Sequence, residues 1–173
     1  MISVAVIGGG ASGMAFAVAL KQKRPDIEVT VFEKNPKVLK KILVTGNGRC
    51  NILNFDAVAE NYFEACEFVR PAVEKYTPKK TEAIFRDMGL LLMSEQEGRA
   101  YPISQTAASV VCVLSSAAER AGVKVFTDTP VKSIKKSQGR FVINNDKSFN
   151  FAVIACGGAA APKQGTDGRS FEL

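Results

Sequence analysis

The sequence predicts an α/β fold with a central parallel sheet, helices on its faces and a β-meander crossover. A strand-like run, a helical run and a second strand-like run follow one another at the start of the chain, within the roughly 30 residues of one βαβ unit. The composition, with 46% hydrophobic and 23% charged residues in 173, is that of a globular domain with one core.

The opening unit is the clearest part of this prediction. Residues 3–7 form a short apolar run typical of a buried strand, and residues 28–32 form a second one rich in β-branched side chains. Between them, Met14 to Leu20 is nearly all apolar, which favours a helix packed under a sheet, and Pro25 ends it.

The rest of the chain alternates between helical and extended patterns. A loop is predicted over 35–55, with helices over 57–69, from the N-cap Thr77 to Gly89, and from the cap Ser104 to Gly122. Strands are predicted at 90–93, 99–101 and 123–126, followed by a meander over 130–136, 140–144 and 148–155 whose last part returns to the core.

Composition excludes several classes of site. The chain has no histidine, which removes Ser-His-Asp triads and histidine metal sites, and its four cysteines have no zinc or disulfide spacing. We therefore expect no metal and a cytoplasmic location. No leader pattern or membrane-length apolar run is present, so we expect no membrane partner. The net charge is +6, but the lysine and arginine residues are scattered along the chain, which is typical of a solvent-exposed surface. We therefore do not expect nucleic acid as a partner.

The turn after the first strand carries the strongest motif, Gly-Gly-Gly-Ala-Ser-Gly over residues 8–13, which fits G-x-G-x-x-G. Gly8 allows a tight turn, Gly10 lets the backbone approach a pyrophosphate, and Gly13 lets the helix pack closely on the sheet. Ala11 and Ser12 open the helix, where free N–H groups face the phosphates. A glycine-rich turn without a ligand is the alternative.

Glu33 supports the ligand interpretation. It follows the second strand directly, 20 positions after Gly13, which is the spacing of the acid that binds the adenosine ribose. Its carboxylate would accept hydrogen bonds from the ribose hydroxyls and would repel a 2′-phosphate. We therefore predict a dinucleotide other than NADP at this site.

Two further segments have the composition of cofactor contacts. Residues 46–48 tolerate positive φ, and Lys41 and Arg49 bring cations to the same loop, which suits a phosphate or a flavin edge as well as it suits a plain surface turn. Residues 153–158 form a strand that ends in small residues, as needed where a chain passes close to a cofactor. An ordinary strand-to-loop junction is the alternative there.

The order of these motifs resembles a bacterial flavoprotein family that includes aminoacetone oxidases and a bile-acid dehydro-steroid reductase, within the proteins that have a glutathione-reductase-like FAD domain. The resemblance covers essentially the whole chain. Its elements are the glycine motif, Glu33-Lys34, Thr45–Asn51, Arg99–Pro102 and Ala155–Gly158, of which Thr45–Asn51 is the most specific.

The resemblance implies a Rossmann-like FAD-binding domain, with FAD rather than NAD as the resident dinucleotide. It implies that Glu33 and Lys34 lie at the adenosine ribose and that Val131 meets the adenine through its backbone. The cofactor contacts it implies elsewhere are Lys41, Arg49, Cys50, Asn51, Ala155, Cys156 and Gly157. Cys156 stands where the family has a threonine, so the resemblance does not decide whether the hydrogen bond made by the threonine hydroxyl has a counterpart in this chain.

The resemblance also bears on domain organisation. Family members continue into a substrate-side domain and return in a segment that completes the flavin pocket, so we expect residues 1–173 to be the N-terminal part of an FAD-binding domain. On this interpretation FAD binds weakly, and surface left uncovered favours association between copies. Cys50, with no second cysteine nearby, is expected to be a packed or flavin-adjacent thiol, and Tyr101 to be structural.

Three functions stay open from the sequence. The first is an FAD-dependent oxidoreductase acting on a small-molecule substrate, with NAD(P)H as an external electron donor and no catalytic residue assigned. The second is an NAD-dependent dehydrogenase that uses the same glycine motif. The third is a non-catalytic nucleotide-binding fragment or a flavoprotein that acts on tRNA, for which the charge of +6 is the support.

Overall fold

The computed structural model describes residues 1–159, 162–164, 166–168 and 172–173. Its strands are β1 (Ser3–Ile7), β2 (Glu28–Phe32), β3 (Leu53–Asn54), β4 (Leu92–Ser94), β5 (Arg99–Pro102), β6 (Lys124–Phe126), β7 (Ile134–Ser137), β8 (Arg140–Ile143), β9 (Lys147–Phe149) and β10 (Phe151–Ile154). Its α-helices are α1 (Ala11–Lys23), α2 (Cys66–Lys75), α3 (Pro78–Asp87) and α4 (Ala107–Arg120). Within these described ranges, no helix combines the length and the apolar character that a membrane crossing requires.

The chain divides into two compact units. The first comprises Met1–Ile42 and Leu114–Leu173, and the second comprises Leu43–Val113. The first unit holds a parallel sheet and a three-stranded meander, and the second holds a small antiparallel sheet.

The parallel sheet of the first unit has the strand order β10-β1-β2-β6. From β1 the chain moves outward to β2 and then β6, and it returns to place β10 on the other side of β1. The strand order therefore reverses between β1 and β10. In open α/β sheets, ligands bind beyond the carboxyl ends of the strands at such a reversal. The predicted α/β class is confirmed.

The core of the first unit lies on both faces of β1 and β2. On one face, Ala5 and Ile7 pack with Phe32 and with two residues of the meander, Ile143 and Phe149. Val4 and Val6 are also buried, and because side chains alternate along a strand they point to the opposite face. The helix α1 packs along these strands and buries Met14, Ala17 and Val18. Burial on both faces explains why β1 is apolar after Ser3 and why β2 is apolar at three of its five positions.

The chain changes sheets at Asn150, within the segment 148–155 that the sequence assigned to the meander and whose last part was expected to return to the core. β9 ends the meander at Phe149, and β10 begins the parallel pairing at Phe151. The Asn150 side-chain oxygen accepts hydrogen bonds from the Ser3 N–H (2.9 Å) and from the Ser3 hydroxyl (3.2 Å). The Asn150 N–H donates to the Ser3 carbonyl at 3.0 Å. This pairing with the start of β1 fixes the crossing point.

The second unit contains the antiparallel sheet β3-β5-β4, in which Met93 lies opposite Tyr101. This confirms the two strands predicted around the turn at residues 95–98. The helix α3 also begins as predicted, with Pro78 in its first turn and the Thr77 hydroxyl accepting a hydrogen bond from the Lys80 N–H at 3.5 Å.

Two predicted helix starts were wrong. The helix expected over 57–69 is a 3₁₀ segment, Ala59–Ala65, followed by α2, because Phe63 adopts a φ of 46° that no helix accommodates. The helix expected from Ser104 begins at Ala107, because Gln105 has a φ of 58°. The Ser104 hydroxyl instead accepts from the Thr106 N–H at 3.4 Å.

Candidate dinucleotide site

The turn after β1 has a shape that only glycine permits. Gly8 has a φ of 108°, and its N–H donates to the Phe32 carbonyl at 2.8 Å. A Cβ built on Gly8 would lie 2.6 Å from the Ala155 carbonyl oxygen. Gly8 therefore lets the carboxyl ends of β1, β2 and β10 come together at one edge of the sheet.

The start of α1 packs tightly against this turn. A Cβ on Gly13 would collide with the Gly8 carbonyl oxygen, and a Cβ on Gly9 would lie 2.6 Å from the Val38 side chain. Contact this close brings the first turn of the helix directly onto the strand end, as the motif predicted.

Gly10 differs from the other glycines of the turn because it faces open space. A Cβ built on it would meet no atom within 4 Å. Gly10 is the N-cap of α1, with no side-chain hydrogen bond capping the helix and no acidic residue in its first turn, and both Ala11 and Ser12 are exposed. The positive end of the helix dipole is thus open to an anion, and the free space at Gly10 admits a phosphate close to the backbone.

Glu33 lies beside the turn and is only 8% exposed. Its Oε2 accepts a hydrogen bond from the Gly9 N–H at 2.7 Å. Its Oε1 accepts from the Asn35 N–H at 2.8 Å and from the Asn35 side-chain amide at 2.6 Å. The carboxylate at the end of β2 is therefore held directly against the glycine turn. Asn35 was not foreseen, because no motif marks it.

Lys34 and Val131 are placed differently from each other. Lys34 is exposed, and its ammonium contacts both carboxylate oxygens of Asp167 at 2.9 Å. Val131 is partly buried and packs against the core cluster that includes Ile7 and Phe32. Lys34 directly follows Glu33 in the chain, so it is next to the glycine turn, whereas the Val131 side chain belongs to the packing beneath it.

The segment after β10 borders the same edge of the sheet. The Ala155 N–H donates to the Ile7 carbonyl at 2.8 Å, and the Cys156 thiol donates to that carbonyl at 3.1 Å. Gly157 has a φ of 71°, and a Cβ on it would lie 2.8 Å from the Thr166 methyl group. The thiol of Cys156 thus makes a hydrogen bond to β1 at the position where the resemblance expected a hydroxyl.

The second unit contains the other group of predicted site residues. The Arg49 guanidinium lies 4.0 Å above the Tyr101 ring, donates from Nε to the Gln105 side-chain oxygen at 2.6 Å, and forms an ion pair with Glu95. These three contacts fix the plane of the guanidinium. The φ values at residues 46–48 are 53°, 54° and 82°, so the predicted positive-φ turn is present.

The remaining residues of this loop divide by exposure. Cys50 is buried, with a φ of 63°, and burial raises the pKa of its thiol above the ordinary value although a hydrogen bond with Thr45 acts in the opposite direction. A buried thiol of raised pKa is a packing residue rather than a nucleophile. Asn51 and Lys41 are exposed, and Lys41 belongs to the first unit.

The structure therefore gathers part of the predicted site at one edge. The glycine turn, Glu33 and residues 155–157 meet at the carboxyl ends of β1, β2 and β10 in the first unit. Arg49, Cys50 and Asn51 belong to the second unit. Within the described ranges, no group of Cys, Asp or Glu side chains has the arrangement of a metal site.

Comparison with protein families agrees with this geometry. The family described as HI0933-like protein Rossmann domain matches residues 2–173. The chain belongs to this family. The resemblance drawn from the glycine motif and from Thr45–Asn51 is thereby confirmed.

Two curated relatives cover the chain almost completely. The 3-dehydro-bile acid delta(4,6)-reductase of Clostridium scindens is 37% identical over 177 aligned residues, which include 100% of this chain. The ribosomal RNA dihydrouridine synthase of Haemophilus influenzae is 25% identical and covers 97% of this chain. The chain spans 43% of the length of each relative.

Solved structures share the fold at low identity. The match with Thermovibrio ammonificans THI4 covers 90% of this chain and 57% of the THI4 chain, with a TM-score of 0.58 and 18% sequence identity. The match with CtdE, which was solved in complex with FAD and a substrate, covers 91% of this chain and 38% of the CtdE chain, with a TM-score of 0.52 and 15% sequence identity. These likenesses establish the architecture of the domain.

Proposed function

We propose that this chain binds FAD and forms the dinucleotide-binding part of a flavin-dependent oxidoreductase. The observation that carries the proposal is the open space at Gly10, at the start of α1, with the Glu33 carboxylate beside it. A pyrophosphate suits the helix N-terminus, and a ribose suits the carboxylate. Membership of the HI0933-like Rossmann family supports the same assignment.

The proposed contacts follow the two units of the chain. In the first unit, Gly10, Ala11 and Ser12 bind the pyrophosphate, Glu33 accepts a hydrogen bond from the adenosine ribose, and Lys34 lies beside that ribose. Val131 borders the adenine, and residues 155–157 form a floor of small side chains. For the second unit we propose that Arg49, Cys50 and Asn51 contact the flavin. Lys41 adds a cation to the phosphate region.

The substrate class we propose is a carbon–carbon double bond conjugated to a carbonyl group. The name of the Clostridium relative describes reduction of double bonds in a 3-oxo steroid, and the name of the Haemophilus relative describes saturation of the uracil ring. In both cases the reduced bond is conjugated to a carbonyl. FAD held by these residues would first accept a hydride from NAD(P)H and would then supply a hydride to one carbon of such a bond, while a proton completes the reduction at the other carbon. The residues of this chain bind and orient the cofactor.

A second candidate is the reduction of a pyrimidine base in RNA. The Haemophilus relative favours it, and the net charge of +6 is compatible with a polyanionic partner. RNA binding driven by charge weakens steeply as salt is raised, so titration of the chain with ribosomal RNA at 50 and 200 mM salt tests this candidate. Binding that is absent at 50 mM salt would remove it.

The proposed cofactor is tested by denaturing the purified protein and identifying the released nucleotide, and by titrating nucleotide-free chain with FAD, ADP and NAD. We expect FAD or no resident nucleotide, with binding of FAD and ADP and a weaker response to NAD. Comparable affinities for FAD and ADP would support an adenosine half-site. NAD as the released nucleotide, or no binding of either FAD or ADP, would refute the proposal.

A further inference from the structure

The two oxygens of the Glu33 carboxylate accept different numbers of hydrogen bonds. Oε1 accepts two of them, both from Asn35, and Oε2 accepts one, from the Gly9 N–H. A carboxylate offers roughly four acceptor positions, two on each oxygen. Among the described residues no other donor reaches Glu33, so Oε1 is filled and Oε2 keeps one position. The buried carboxylate can therefore accept a single hydrogen bond from a ligand.

The backbone around Asn35 is fixed on its far side. The Asn35 carbonyl accepts a hydrogen bond from the Asp128 N–H at 3.1 Å, and the Glu33 carbonyl accepts one from the Thr129 N–H at 2.8 Å. These bonds join the end of β2 to the segment that follows β6. Asn35 is consequently held before any ligand binds, and its two donors hold one oxygen of Glu33 in turn.

We propose that Asn35 is the positioning residue of the adenosine site. By filling Oε1, its side chain leaves Oε2 as the one Glu33 oxygen that accepts a hydrogen bond from a ligand, and that bond comes from one of the two ribose hydroxyls. Oε2 also holds the Gly9 N–H, so the same oxygen couples ribose binding to the shape of the glycine turn. The inference rests on the proposed binding of an adenine dinucleotide.

The side chain of Asn35 has a measurable consequence on this view. In Asn35→Ala, Oε1 keeps the backbone N–H of residue 35 and Oε2 keeps the Gly9 N–H, so the carboxylate stays in place, but Oε1 regains one acceptor position. Each oxygen can then accept a hydrogen bond from a ribose hydroxyl. Asn35→Ser retains a short hydroxyl that can donate to Glu33 from the same position, so it should restore the effect in part.

The experiment titrates the chain with ADP, 2′-deoxy-ADP and 3′-deoxy-ADP by calorimetry. For the unaltered chain we expect removal of one hydroxyl to weaken binding about tenfold and removal of the other to change it little. Asn35→Ala should bind ADP at least as tightly as the unaltered chain, and removal of either hydroxyl should weaken its binding to a similar extent. Asn35→Ser should discriminate at an intermediate level.

The matched control is Asn150→Ala. Asn150 also holds backbone through its side chain, but at the amino end of β1, so its loss should affect stability and leave the discrimination unchanged. If Asn35→Ala distinguished 2′-deoxy-ADP from 3′-deoxy-ADP as strongly as the unaltered chain does, the inference would be overturned while the proposed function would stand. The same holds if both deoxy nucleotides bound the unaltered chain with equally reduced affinity. Failure of the unaltered chain to bind ADP and FAD would overturn the proposed function itself, and the inference with it.

Discussion

Replacement of Gly10 by alanine should separate binding from folding. The added methyl group meets no protein atom within 4 Å, and the backbone at Gly10, with φ −76° and ψ −173°, lies in a region open to alanine. The methyl group would occupy the space that we assign to the pyrophosphate. The folded chain should therefore tolerate Gly10→Ala, whereas the nucleotide should not.

The expected change in stability is small because two effects oppose each other. Alanine in place of glycine restricts the unfolded chain, which adds about 0.4–1 kcal/mol to stability where the native backbone permits it. Alanine is a poorer N-cap than glycine, which removes roughly 0.5–1 kcal/mol. The net change should stay within about 0.5 kcal/mol, which corresponds to a shift of a few degrees at most in Tm.

The expected change in binding is much larger. Hydrogen bonds to a charged group contribute about 1.5–3 kcal/mol each, and a methyl group at Gly10 would keep the pyrophosphate from the N–H groups at the start of α1. Loss of one such bond lowers affinity about tenfold or more. We therefore expect Gly10→Ala to weaken the binding of both FAD and ADP at least tenfold, while the Tm shifts by a few degrees at most.

The assay pairs thermal unfolding with titration by FAD and ADP, and it uses Gly13→Ala as the contrasting variant. A Cβ on Gly13 would collide with the Gly8 carbonyl oxygen, so the backbone must shift and the Tm should fall. Wild-type affinity for FAD in Gly10→Ala would show that no pyrophosphate approaches this residue. A Tm as low in Gly10→Ala as in Gly13→Ala would contradict our assignment of open space around Gly10.

Three further residues, Glu33, Lys34 and Cys50, have defined outcomes. Glu33→Ala should weaken FAD about tenfold or more, whereas Glu28→Ala, at the other end of β2, should leave affinity unchanged. Lys34→Met should alter the unfolding free energy by less than about 1 kcal/mol in denaturant titration, because its ion pair is solvent-exposed. The buried Cys50 thiol should react with iodoacetamide more slowly than the exposed Cys112. Because the pKa of the Cys50 thiol is higher in the folded chain than in the unfolded chain, the folded state holds this proton more tightly. The free energy of unfolding should therefore fall as the pH rises above about 8.5, and it should fall less in Cys50→Ala.

The parts of the fold that were predictable are those specified by local pattern. β2 matches its predicted bounds because a β-branched run between Pro25 and Glu33 is marked at both ends, and the positive φ values at residues 46–48 follow from their glycines and asparagine. The position of Glu33 was predictable by counting from Gly13. Its hydrogen bonds with Gly9 and Asn35 were not, since they depend on how the ends of two strands meet.

The errors have physical causes that the pattern does not contain. Phe63 and Gln105 take positive φ values, which their residue types disfavour, so no composition rule anticipates the breaks that they cause. The helix α2 continues through Pro71 to Lys75, although proline removes a backbone hydrogen bond and favours an earlier end. The division at Asn150 depends on Ser3, which lies 147 positions away in the chain.

The position of β10 has a consequence for the order in which the protein forms. β1 pairs with β2 through contacts about 25 residues apart, whereas Val4 can pair with Phe151 only after residue 151 has been synthesised. Contacts so distant in sequence close slowly. Gly8 packs against Ala155, so the glycine turn is completed by this late event. A nascent chain that stops before β10 would carry the whole glycine motif and still lack the neighbour that gives the turn its final shape.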